Sequence, residues 1–231
     1  MTNPLKNKDL VCAVATVLLF AACGKKPSGP PTPLPTAPFP AAGLAGQRVS
    51  LVPIPLVAAD EALGWDSLLA DHRATLLRAD SVIAALLPAR TPEVNWVLPD
   101  ELRREARRAP GIATDPDQLG TAVLRAEGMR EVLDPLRQQL RTLGALGGGR
   151  YVVVPAALVF RRTDGQADGR SGTTGATARP ADRPTAVAEL SIILVDVRLG
   201  KVDWRTVAHG EGSDPWTALA RAVKALTPGL P

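Results

Sequence analysis

Seven prolines crowd the stretch GKKPSGPPTPLPTAPFPAAGLAG, residues 24–46. Proline has no backbone N–H and fixes φ, so such a run can neither join a sheet ladder nor continue a helix. A folded core must therefore be built from the residues C-terminal to it. The spacing predicts an extended, partly polyproline II tether, and at about 3.1 Å per residue it reaches roughly 70 Å. A ligand for a proline-recognising domain is the functional alternative to a spacer. The remaining chain, residues 47–231, has the length of one domain. It must fill its core mostly with Leu, Val, Ile and Ala, because the sequence is 45% hydrophobic but only 3% aromatic.

Upstream of the tether, Lys6 and Lys8 precede an apolar run at residues 10–22, LVCAVATVLLFAA. A helix of that length rises about 20 Å, short of a bilayer core of roughly 30 Å. It reads as the h-region of a signal peptide. The run ends Phe20-Ala21-Ala22-Cys23. This resembles the bacterial lipoprotein signal, with Phe20 where Leu is usual. The resemblance implies removal of residues 1–22, acylation of Cys23 and loss of Cys12, leaving no thiol pair for a disulfide. Gly24 stands where inner-membrane retention usually has Asp. That implies the outer membrane, with the domain facing the periplasm and the membrane a partner through the lipid anchor.

The folded part alternates strand and helix. Residues 48–57 (RVSLVPIPLV) predict a first strand, whose second half leaves the sheet at Pro53 and Pro55. Residues 65–87 predict a long amphipathic helix with Trp65, Leu68, Leu69, His72, Leu76, Ala79, Ile83 and Leu86 on one face, ended by Pro88. Residues 93–98 predict a second strand and residues 99–108 an arginine-rich helix. Asp115-Pro116, Asp134-Pro135 and Asp214-Pro215 share one signature: Asp accepts from free N–H groups, and Pro at the next position leaves none unpaired. They predict a short turn, a helix over residues 135–146 and a last helix.

Three strands fall at residues 150–160, 185–197 and 202–209. A Gly/Thr-rich excursion, residues 162–184, separates the first two. The fold class is α/β: a single domain with a mixed sheet of about five strands packed with helices, its last three strands antiparallel.

The segment TAVAELSIILVDVRLGKVDWRTVAHGEG, followed by DPWTALARAVKAL, resembles the end of the TolB N-terminal-like domains, a group that includes the CsgG and LpoB lipoproteins. The shared pattern is an apolar strand, an aspartate, a turn with Gly and Lys, a strand with Trp, then a helix. GRYVVVPAALVF fits the preceding strand of those domains. The resemblance extends loosely over residues 48–227 and implies a TolB-N-like α/β fold that binds rather than catalyses.

The residues themselves offer little chemistry. The formal net charge of +4 is spread along the chain, which gives no nucleic-acid footprint. Two His and two Cys are too few for the usual metal sites, and no cofactor motif is present. Gly169, Gly172 and Gly175 recur at threes with no helix after them, so they read as loop. His72 reads as packed on its helix face rather than as a base beside Asp71. His209 has no evident nucleophile.

Asp196 reads as structural, near a turn in which Gly200 supplies φ > 0. A two-residue loop sets Asp196 opposite Asp203; a three-residue loop with a bulge at Gly200 sets it opposite Val202. Trp204 should pack under the covering helix beside Trp216 or Leu219. Arg103, Arg104, Arg107 and Arg108 form the densest charge, on one side of their helix. They are either a solvated face or a surface for acidic headgroups, cell-wall polymer or an acidic protein.

The chain therefore reads as a lipid-anchored, non-enzymatic envelope lipoprotein, an accessory or assembly subunit with a protein partner. A small-molecule or glycan-binding module and an unrecognised hydrolase are the alternatives.

Overall fold

The computed structural model describes residues 36–126, 128–163 and 186–228. Cys12, Cys23 and the glycines at 169, 172 and 175 lie outside the described residues, as does most of the expected excursion.

The strands are β1 (Arg48–Leu51), β2 (Val57–Ala59), β3 (Asn95–Val97), β4 (Tyr151–Arg162), β5 (Ala186–Asp196) and β6 (Lys201–Gly212). The helices are α1 (His72–Arg90), α2 (Pro99–Arg108), α3 (Leu136–Leu146) and α4 (Pro215–Ala225). The architecture is α/β with one mixed sheet in the order β3-β1-β4-β5-β6, and β2 also pairs with β4. β1 and β2 run parallel to β4, β3 parallel to β1, and β4, β5 and β6 form an antiparallel meander.

The sixth strand comes from the prolines. Residues 48–57 do not form one strand whose end departs. They leave the sheet after Val52, whose N–H still donates to Val153 O, and β2 then rejoins β4, with Val57 opposite Leu158. Pro155 sits inside β4, which pairs on both sides, yet it carries no donor. The fold sets it beside the gap between β1 and β2 and next to a register shift between Pro155 and Ala157. A central proline is tolerated where the ladder is already broken.

Caps set the helix ends. α1 starts at His72, later than the apolar periodicity predicts, because Asp71 Oδ1 accepts the Ala74 N–H at 2.9 Å. Its buried positions are Thr75, Ala79, Asp80, Ile83 and Leu87. His72 is exposed in the first turn and is not packed on the apolar face. Pro88 lies in the last turn and the helix runs on to Arg90. Asp214 caps α4 through the N–H groups of Trp216 and Thr217, and Asp115 caps the short turn Pro116–Gln118. Asp134-Pro135 is a cis bond instead; Asp134 makes no cap and α3 begins at Leu136.

Two cores flank the sheet. On one face, α1 and α4 bring Ile83, Leu87, Leu219 and Val223 against Phe160, Leu190 and Ile192. On the other, α2 and α3 bring Leu102, Leu140 and Leu143 against Val152, Val154, Ile193 and Val195. α4 approaches β6 so closely that a Cβ on Gly210 would fall 2.1 Å from the Ala222 nitrogen, so only glycine fits there.

Residues 36–46 belong to this fold and not to the tether. Phe39 is buried, its N–H donates to Leu226 O at 2.7 Å, and its ring lies 5.5 Å from Trp204, edge-on. It also tilts against Trp96 at 5.8 Å. Trp204 therefore packs on the N-terminal segment, while Trp216 lies under Arg78 at 4.8 Å.

Candidate functional site

The most concentrated ionisable cluster lies where the prolines break the sheet. With the ladder interrupted, the Ile54 N–H has no strand partner. It donates to Asp80 Oδ1 at 2.8 Å, from the middle of α1. Asp80 Oδ2 in turn accepts from Arg103 Nη2 at 2.5 Å. Arg103 reaches two further carboxylates. Its Nε and Nη2 donate to Asp117 Oδ1 at 2.9 and 2.7 Å, and its Nη1 donates to Asp100 Oδ1 at 2.9 Å. One guanidinium thus joins α1, α2 and the turn at 116–118. Replacing Arg103 would leave the buried Asp80 without a countercharge, which is costly.

Burial sets the electrostatics of this cluster. Loss of solvent pushes Asp80 up to about 6, against the Ile54 N–H and the Arg103 guanidinium, with Asp117 adding to the rise. Burial alone would lower Arg103, but the hydrogen bonds to Asp117 and Asp80 outweigh it and hold the guanidinium charged.

Arg103 and Asp117 line a cleft of about 280 Å³. Ile54, Leu76 and Leu77 form its apolar wall, with Arg73, Asp115 and Gln118 completing the polar side. Spacing along α2 groups Arg103 with Arg104, Arg107 and Arg108 as one surface, and the structure corrects that grouping. Arg103 is 9% exposed and turned into the cluster, while the other three are exposed. Arg108 pairs with Glu105 at 2.7 Å. The pull is tertiary, since Asp80 and Asp117 stand on other elements.

The second buried carboxylate is Asp196, at the end of β5. Its Oδ1 accepts the N–H groups of Arg198 at 2.9 Å and Leu199 at 3.2 Å. Its Oδ2 accepts from Arg150 through both Nε, at 2.7 Å, and Nη2. Burial pushes this carboxylate up, but the Arg150 hydrogen bond and the two backbone donors outweigh it and hold it below the ordinary range. The register is neither of the two expected. Asp196 pairs with Lys201 across a four-residue loop, and the bulge falls at Asp203, between Val202 and Trp204. Gly200 has φ 69°, as the turn requires, and its N–H donates to Asp196 O at 2.8 Å. The extra residue in β6 sets Asp196 opposite Lys201, where the register of Leu194 with Trp204 would otherwise set it opposite Val202.

Neither cluster contains an assembled nucleophile and base. Among the described residues, no group of three or more His, Cys, Asp or Glu could hold a metal ion. No helix among them is long and apolar enough to cross a membrane. Sequence reading missed Asp80 and Asp117. For Asp80 the available signal was a charged residue on the buried helical face, one turn from Ile83 and two from Leu87.

No protein-family model matches this sequence, and no curated protein does. Among solved structures the chain is similar to PelC from Paraburkholderia phytofirmans, described as a dodecamer. Identity is 17%, TM-score 0.38, covering 84% of this chain and 93% of that one. It is similar to the LpoB C-terminal domain from Salmonella enterica at 12% identity and TM-score 0.33, covering 74% and 84%. A third is lipoprotein GNA1162 from Neisseria meningitidis, at 16% identity and TM-score 0.29, covering 72% and 83%. LpoB, named from the sequence pattern, is thus among the solved chains that match.

Proposed function

We propose that this chain is a lipid-anchored, non-enzymatic envelope lipoprotein that serves a periplasmic or outer-membrane machine as an accessory or assembly subunit. One observation carries the non-enzymatic part. The two buried carboxylates, Asp80 and Asp196, are each occupied by an arginine and by backbone N–H groups, so neither is free to act on a substrate. The Ala21-Ala22-Cys23 ending of the apolar run supports the anchor. Ala37 and Phe39 are bonded to the fold, so a spacer from residue 24 to residue 35 would reach at most about 40 Å if extended, rather than roughly 70 Å. The domain works close to its membrane.

Arg104, Arg107 and Arg108 are the surface offered to an acidic protein partner. A photo-crosslinker at Arg104 in native cells should give a discrete adduct with an envelope protein. Arg104→Gln, Arg107→Gln and Arg108→Gln together should reduce its recovery while barely changing the melting temperature, since exposed pairs contribute about 0–1 kcal/mol each. Cys23→Ala should release the protein from salt-washed membranes; retention there would remove the lipid anchor from the proposal.

The cleft above Arg103 favours a second reading, a module for a small molecule or glycan. Its volume is at the low end of ligand pockets, which run from about 300 Å³. A saturable thermal shift with such a ligand, and no crosslinked protein, would select that reading.

A further inference from the structure

We propose that the end of the sheet where β5 turns into β6 is a membrane-contacting tip that takes an anionic lipid headgroup surface. The turn is fixed by Asp196, by Arg150 and by the Gly200 N–H bond to Asp196 O. A second strand-like segment lies against it. The Val202 N–H donates to Arg130 O, the Val132 N–H donates to Gly200 O, both at 2.9 Å, and Glu131 bridges antiparallel to Lys201. Leu133 follows Val132 and Leu199 precedes Gly200, so the two leucines flank that second hydrogen bond. Val132 turns into the core, so its neighbour Leu133 turns out. Leu133 is 69% exposed and Leu199 55%.

Cations surround this leucine pair. Arg130, Arg137, Arg198 and Lys201 are exposed, and none forms a salt bridge with a described residue. Arg137 lies along Gly200, since a Cβ there would stand 2.7 Å from its Nε. Arg141 follows one turn along α3. The carboxylates nearby are Glu131, Asp134 and Asp203, so cations outnumber them.

The leucines stand on the outside of a rigid turn. A protein partner would need a matching pocket, whereas a headgroup layer yields around such a projection. Leu side chains enter it while Arg and Lys stems extend to the phosphates. The attachment of the N-terminal segment to β6 also fits. The Ala37 N–H donates to Thr206 Oγ1 at 2.9 Å, five residues along β6 from Lys201, or about 17 Å at 3.4 Å per residue. Residues 24–35, about 40 Å long if extended, would let the tip touch the membrane in which Cys23 would sit.

The test uses the full chain with Cys12→Ser and Cys23→Ser, and bimane on a Glu131→Cys substitution. The probe reads the tip itself, so the result does not depend on acylation of Cys23. Vesicles are phosphatidylcholine with or without phosphatidylglycerol, each carrying doxyl-labelled lipid. Quenching is expected in the anionic vesicles. Arg198→Gln and Lys201→Gln should each weaken it on the order of fivefold. Leu133→Asn with Leu199→Asn should abolish it at an unchanged melting temperature. An unquenched probe in anionic vesicles, or equal quenching in the leucine variant, overturns the proposal. Saturable binding to polyglutamate without lipid quenching overturns it in favour of an acidic protein.

Discussion

Asp80 and Asp196 are both buried, both bonded to a guanidinium and to backbone N–H groups, yet they titrate in opposite directions. The difference lies in how many donors each carboxylate has to itself. Asp196 has two backbone N–H groups and two nitrogens of an Arg150 that stays 42% exposed. Asp80 has one backbone N–H and one nitrogen of an Arg103 that also serves Asp100 and Asp117. Burial of an aspartate therefore does not announce a reactive group. Its direction of shift follows from donor supply and from competing charge.

The largest expected effect breaks the Arg103 side of this comparison. Arg103→Leu strands Asp80 without its countercharge and frees the turn at 116–118. Removing one partner of a buried pair costs about 3–5 kcal/mol, a large share of the roughly 5–15 kcal/mol that a domain has. Denaturant midpoints at neutral pH measure it. A loss no larger than that of an exposed pair would mean that Arg103 is solvated and the cluster is not structural.

Next in size is the dependence on pH. With Asp80 raised from 3.8 to about 6, the folded state between those values holds a proton that the unfolded state has released. Stability from this group is thus full at acid pH and is lost as pH rises through about 6, by something on the order of 2–3 kcal/mol. Asp80→Asn keeps an acceptor for the Ile54 N–H and should flatten that slope. Asp196 has the opposite sign: its contribution is present above 3.8 and is lost as pH falls through its lowered value. An identical pH profile in Asp80→Asn and the natural chain would remove the contrast between the two residues.

The smallest effect sharpens the Asp196 side. Asp196→Asn retains an oxygen for the Arg198 and Leu199 N–H groups and gives up the ion pair and acceptor bonds to the partly exposed Arg150. The melting temperature should fall by a few degrees, and complementation in cells should persist. A folded but inactive Asp196→Asn would assign the carboxylate a chemical role and sink the non-enzymatic reading.

Much of this fold was legible along the chain. The strand at residues 186–196, the caps at Asp115 and Asp214 and the break at Pro53 and Pro55 all appear where sequence places them. The candidate site was less so. Arg103 carried no mark to separate it from Arg104, and the turn register failed because the bulge lies at Asp203, beyond the glycine that signalled the turn.

Sequence by itself determined whatever neighbouring residues decide. Proline denies a donor wherever it stands, aspartate caps the turn after it, and a β-branched run extends. These act within about four residues. Tertiary structure decided the rest, because the deciding partner is distant. Thr206 holds the Ala37 N–H from 169 residues away, and Phe39 thereby leaves the proline run to pack on Trp204. Asp80 draws in Arg103 from 23 residues away. A proline-rich segment can become part of the fold and an arginine can become a core residue when a donor or charge elsewhere is left without a partner, and only folding brings the two together.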